Sequence, residues 1–221
     1  MRKLINGIVE FRRNVRDGYK EAFGKLATGQ SPDTLFIACS DSRVVPNTFA
    51  STNPGDLFVV RNVGNIIPPS SAEGISNSDE SEVAAIEYAI NFLKVKDIIV
   101  CGHSECGAMR AIVAGRNTID MAHMASWLRH GEEAFARVNN GLALDKNLEI
   151  HNQLSQLNVL LQIDNIKSYP VVKKRIQEKS LAIHGWWFDI AKADVYTYDK
   201  SKNRFVLIDE AEAERILSES N

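Results

Sequence analysis

Apolar positions along this chain follow two different spacings. Short continuous apolar runs bounded by turn residues read as buried strands at 34–39, after the turn at 29–33, at 57–60 and at 97–101. Residues 180–188 read as another strand, and 194–198 with 204–208 as a hairpin turning at 199–203. Between them the spacing becomes helical. Leu4, Ile5, Ile8, Val9, Phe11, Val15 and Tyr19 predict an N-terminal helix reaching about Phe23. Val83, Ile86, Ala89, Ile90 and Leu93 share one face of a helix capped by Asp79 or Ser81. A helix capped by Ser104 is expected to run to Val113, and a helical pattern continues from Asp120 to Ile166. Pro170 opens a short helix at its first turn, and an acidic helix ends the sequence.

Strands alternating with helices predict an α/β fold with a mainly parallel central sheet of about four to five strands flanked by helices. The 221 residues suit a single domain, with residues 1–28 as a helical arm that packs on a partner subunit or on its own domain. With 44% hydrophobic and 24% charged residues a core can form without covalent staples. A net charge of -2 argues against a nucleic-acid or anionic-membrane partner. Glu10, Arg12 and Arg13 interrupt the apolar start before a signal-peptide core develops, so a cytoplasmic location is expected. Three cysteines do not make a disulfide framework.

Those cysteines lie where chemistry is expected. In parallel sheets, ligands bind at the carboxyl ends of strands. Cys39 ends one predicted strand, and His103 and Cys106 follow another, 64 and 67 positions later. Two thiolates and an imidazole suit zinc, and three protein ligands rather than four suit a catalytic site open to water. His103 and Cys106, three apart, would project from one side of a helical first turn, with Cys106 near the positive helix end. Cys101, inside the apolar run, reads as a core thiol. Asp41 and Arg43 follow Cys39 at steps of two, which on an extended chain puts all three on one side. An Asp beside an Arg stays ionised and can orient a metal-activated water.

Cys39-x-Asp41-x-Arg43 and His103-x-x-Cys106-Gly107 resemble the β-class carbonic anhydrases. Arg61-Asn62-Val63-Gly64-Asn65, Ala85-Ile86-Glu87-Tyr88 and His184-Gly185-Trp186 extend the resemblance over most of the chain. It implies a zinc lyase, one Zn2+ per subunit, interconverting carbon dioxide and bicarbonate. Cys39, His103 and Cys106 would bind zinc, and the Asp41–Arg43 dyad would orient zinc-bound hydroxide. It further implies a homodimer or higher homo-oligomer. Gln30, Phe58, Val63, Tyr88 and Gly107 match substrate-pocket positions of the plant-like subgroup. Another subgroup carries a regulatory bicarbonate pocket with tryptophan and glycine where this chain has Phe36 and Ala38, although Arg61 is kept. The resemblance therefore implies an open zinc site with Asp41 paired to Arg43. No proton shuttle stands out among His123, His130, His151 and His184. Hydrolysis of another small heterocumulene, such as carbon disulfide, would suit the same ligands. A zinc-dependent binding or redox-sensing protein would have no use for Gln30, Asp41 and Arg43.

Overall fold

The computed structural model describes residues 1–78 and 80–219, so a cap at Asp79 lies outside the described residues. The N-terminal arm is one helical rod: α1 (Arg2–Glu10), a π-helical segment (Phe11–Val15) and α2 (Arg16–Leu26). Then come β1 (Thr34–Cys39), α3 (Pro46–Phe49), β2 (Leu57–Asn62) and α4 (Ser81–Tyr88), which continues as a π-helical segment (Ala89–Leu93). β3 (Asp97–His103) leads to α5 (Gly107–Ala114), α6 (Ala122–Trp127), α7 (Glu132–Asn139), α8 (Ile150–Ser168) and α9 (Pro170–Gln177). β4 (Ala182–Asp189), β5 (Asp194–Asp199), β6 (Arg204–Leu207) and α10 (Glu210–Glu219) complete the chain.

The sheet has six strands in the order β2-β1-β3-β4-β5-β6, rather than about four to five. The first four are parallel, and β5 and β6 add antiparallel, because short hairpins join them where crossover helices join the others. Both faces of β1 are buried. Leu35 and Ile37 pack against α4, α8 and α9, while Phe36 and Ala38 pack with Ile99, Cys101 and Phe188 on the opposite face.

Three local expectations change. The helical pattern from Asp120 to Ile166 is broken by a loop between α7 and α8, where Gly141 takes φ +87°. Ser81 is the first helical residue of α4 and not its cap. Ser104 does not cap α5 either. Its hydroxyl accepts from the Ile190 N–H at 2.9 Å, and Cys106 is the N-cap.

Helix α8 positions the site. It lies so close to the sheet that a Cβ on Gly102 would come within 2.7 Å of Val159 Cγ2, and one on Gly185 within 3.0 Å of Val159 Cγ1. Its buried polar side chains bind the loops beyond the strand ends. Ser155 Oγ donates to His103 O at 2.7 Å, Asn158 Nδ2 to Gly64 O at 3.0 Å, and Gln162 Oε1 accepts from the Ile67 N–H at 2.9 Å.

Candidate metal centre

Three side chains converge where β1 and β3 end. One ligand atom from each of Cys39, His103 and Cys106 lies within 4.8 Å of the others, and all three residues are buried. All three cysteines of the chain are free thiols. Cys39 is the last residue of β1 and His103 the last of β3. His103 and Cys106 are not on one helical turn. Their approach is made by the turn at Ser104 and Glu105, with Glu105 at φ +59°. Cys106 sits at the amino end of α5 as anticipated.

The donor set fits a metal. His103 Nδ1 lies 2.8 Å from Ser104 O, a carbonyl that can only accept, so the ring proton is on Nδ1. Nε2 is then a bare lone pair, buried and without a hydrogen-bond partner. An orphaned acceptor beside two thiols is costly unless a cation takes it. The thiols are already polarised. Cys39 is lowered by the hydrogen bond it receives from Cys106, helped by the Gly64 N–H at 3.3 Å. Cys106 is raised, because it holds its proton toward Cys39 and is buried. Cys101 is fully buried in the core and raised by that burial, as expected of a structural thiol.

Beside the cluster, Asp41 and Arg43 form a bidentate pair, Nε to Oδ1 at 2.9 Å and Nη2 to Oδ2 at 2.7 Å. The chain turns here instead of staying extended. Asp41 O accepts from the Val44 N–H and Asp41 Oδ1 from the Arg43 N–H, both at 3.0 Å. The hydrogen bonds from Arg43 hold the Asp41 carboxyl far below the usual carboxylate range. Arg61 braces the same segment, donating to Cys39 O at 3.0 Å and to Asp41 O at 2.6 Å.

A family model for carbonic anhydrase matches residues 34–195, which include this whole constellation. The chain belongs to the carbonic anhydrase family. A carbonic anhydrase of Pseudomonas aeruginosa is 39% identical over 210 residues, 95% of this chain and 93% of its own. One from Synechococcus elongatus is 38% identical over 214 residues, 95% of this chain and 76% of its own. The solved β-carbonic anhydrase CcaA superposes with a TM-score of 0.86 at 37% identity, over 94% of this chain and 98% of its own. A structure from Sordaria macrospora, described as tetrameric, superposes with a TM-score of 0.73 at 31% identity, over 89% of this chain and 95% of its own. Both solved relatives are β-carbonic anhydrases, and membership of the family carries the hydration of carbon dioxide.

Against that family expectation, the five pocket positions divide into two groups. Val63 directly precedes Gly64, whose N–H touches Cys39, and Gly107 directly follows Cys106. Both are exposed beside the candidate ligands. Gln30, Phe58 and Tyr88 are elsewhere. Phe58 pairs in register with Leu35, four residues before Cys39 and thus about 13 Å from it along the strand. Tyr88 packs on Phe58 at 5.7 Å, and Gln30 is exposed ahead of β1. Within one chain these three stand at the other end of the sheet from Cys39.

Of the four histidines considered as proton shuttles, His151 is buried against Glu105, and His184 pairs with Asp97 at 2.8 Å at the opposite end of β3. His130 is half-buried beside Trp127. His123 lines an open cleft of about 480 Å³ with Ser40, Asn62, Val63, Glu82 and Trp127. Sequence reasoning missed Gly64 as a donor to Cys39, and Glu105, Asn152 and Ser155 as supports of the ligand loop. The Val63-Gly64-Asn65 motif signalled the first. The others carry no local signal, because their partners lie far away in the chain.

Proposed function

We propose that this chain hydrates carbon dioxide reversibly at a zinc ion held by Cys39, His103 and Cys106, with a fourth position open to water and the Asp41–Arg43 dyad beside it. The observation that carries this reading is the buried convergence of two thiols with the unpartnered His103 Nε2. Zinc, when bound there, would act as a Lewis acid and lower the pKa of a coordinated water toward about 7. The thiolates weaken that lowering relative to three neutral ligands.

The chain's own residues supply orientation. Asp41 Oδ1 already accepts two hydrogen bonds, from Arg43 N and Nε, whereas Oδ2 accepts one. A carboxylate oxygen has about two acceptor sites, so Oδ2 keeps one free for the hydrogen of the attacking water. Arg43 uses both ends of its fork on Asp41, and this supports a carboxylate that stays off the metal. Val63 offers an apolar wall to an uncharged substrate, and water plus carbon dioxide gives bicarbonate and a proton. His123, on the cleft beside Val63, is the histidine best placed to pass that proton to solvent.

Gln30, Phe58 and Tyr88 belong in this reading to the pocket of a second copy. The exposed apolar face of the arm supports such an assembly, and the protein would work as a homodimer or larger homo-oligomer. No described helix is long and apolar enough to cross a membrane. The test is metal analysis of the purified chain followed by stopped-flow carbon dioxide hydration. One zinc per chain with hydration activity is expected. A folded chain that takes up no zinc sinks the reading, and an Asp41 carboxylate bound to the metal near neutral pH sinks the open site.

A further inference from the structure

We propose that Glu105, clamped by Asn152 and His151 of α8, is a positioning residue that sets both the spacing of His103 and Cys106 and the orientation of the Asp41–Arg43 pair. The proposal rests on the metal-site reading above and deepens it.

Glu105 lies between the two ligands in sequence, and its φ of +59° falls in the left-handed region, which few residues other than glycine adopt. The surroundings are visible. Its N–H donates to Asn152 Oδ1 at 2.8 Å, and Asn152 Nδ2 donates back to Glu105 Oε1 at 2.9 Å. His151 Nε2 reaches the same Oε1 at 3.1 Å, and Arg110 pairs with Oε2. The Glu105 carbonyl accepts from Arg43 Nη2 at 3.0 Å. Every polar group of the residue is therefore engaged. One side grips α8 and the other grips the dyad arginine.

The grip is rigid because its base is rigid. Asn152 and His151 are each 7% exposed, on a helix pressed against β3 and β4 at Gly102 and Gly185. Three residues further along α8, Ser155 fixes the His103 carbonyl. A turn that needed only the left-handed conformation would be served by glycine. Glutamate serves it here because its carboxylate reaches α8. Such outer contacts orient metal ligands, and losing them commonly costs about 10- to 100-fold in metal affinity or activity.

Glu105→Gly separates the backbone conformation from the side-chain clamp, since glycine accepts the left-handed φ and removes only the carboxylate. Asn152→Leu removes both contacts at similar size, and Glu105→Gln keeps an acceptor for Asn152 and His151. The readouts are zinc release from the purified holoenzyme to a chromogenic chelator, the visible spectrum after cobalt substitution, and kcat and KM for carbon dioxide. Glu105→Gly and Asn152→Leu should release zinc about tenfold faster or more, shift the cobalt bands, and lower kcat with little change in KM. Glu105→Gln should stay close to the parent. A folded Glu105→Gly protein with the parent's release rate, spectrum and kcat overturns the proposal, and this variant decides alone if Asn152→Leu fails to fold. If the unsubstituted chain holds no metal, the metal-site reading fails first and takes the clamp with it.

Discussion

His103 keeps its proton on Nδ1 because Ser104 O accepts it, and so Nε2 faces Cys39 and Cys106 as a lone pair. From this tautomer the first prediction follows. Cys39→Ala or His103→Ala removes one of the three proposed ligands. Each variant is expected to lose zinc by elemental analysis and hydration above the buffer rate. Asp41→Asn should behave differently. The amide keeps the size of the side chain but replaces one acceptor with a donor that meets Arg43. We expect zinc to be retained and kcat to fall about 100-fold or more, read by stopped flow at constant metal content. The pH dependence has a definite sign. Arg43 depresses the Asp41 carboxyl, so the pairing contributes stability above the unfolded Asp value near 4 and loses it as pH falls toward the lower folded value. Across pH 5–9 the dyad stays ionised, and the acid limb of kcat/KM should stay in place when Arg43 is replaced by Lys. A limb moved upward by a full unit in Arg43→Lys would contradict this. Cys39, His103 and Cys106 were legible in the sequence because strand-end position and side-chain softness both point to them. The way Asp41 meets Arg43 was not, since the turn at Asp41–Val44 depends on backbone hydrogen bonds that residue spacing does not encode.

Strands and helices were legible in proportion to how local their causes are. The 34–39 run reads as a strand because both faces are apolar and turn residues bound it, and β1 has those limits. The extra sheet width was hidden. A hairpin at 194–208 has more than one place to pack, and it continues the sheet because β5 pairs antiparallel with β4, from Trp186–Thr197 to Asp189–Asp194. The cap at Ser104 was misjudged for a similar reason, because the hydroxyl goes to Ile190, 86 residues away. Helix α8 shows the limit most clearly. Its polar residues would face solvent on a periodicity argument, yet Asn152, Ser155, Asn158 and Gln162 are buried and splint the loops of the site. That arrangement needs α8 to touch the sheet, and Gly102 permits it. Gly102→Ala puts a methyl 2.7 Å from Val159 and 3.2 Å from the Ser155 carbonyl, so helix or strand must shift. Overpacking of this kind costs about 1–3 kcal/mol. Urea unfolding should show that loss, with a larger proportional loss of zinc affinity, because Ser155 and Asn152 move with the helix. A variant as stable as the parent would show that the helix has room to yield.

Over the whole molecule, the arm is the element with no internal reason to exist as drawn. Leu4, Ile5, Ile8, Val9, Phe11, Val15, Tyr19 and Phe23 are 37–68% exposed, although their helical spacing lines them along one stripe. The arm meets the body at its end, where Leu26 sits against Gly55. A contiguous apolar stripe of this length marks a protein interface. At the other end of the sheet from Cys39, the aromatic group of Phe58, Tyr88 and Phe92 is likewise open, with Phe92 77% exposed. Both surfaces are satisfied together if two copies exchange arms and bring Phe58 and Tyr88 of one to the metal of the other. Replacing Leu4, Ile8, Phe11 and Val15 together with serine leaves the body's core untouched. If the proposed assembly forms, this variant should be monomeric in sedimentation velocity while each chain still takes up zinc, since the three proposed ligands come from one chain. Hydration should fall in step with the monomer fraction, because Gln30, Phe58 and Tyr88 would no longer close the pocket. A variant that stays fully assembled refutes the role of the arm. A monomer that keeps the parent's kcat/KM refutes the shared pocket, and leaves Val63 and Gly107 as the whole of the substrate wall.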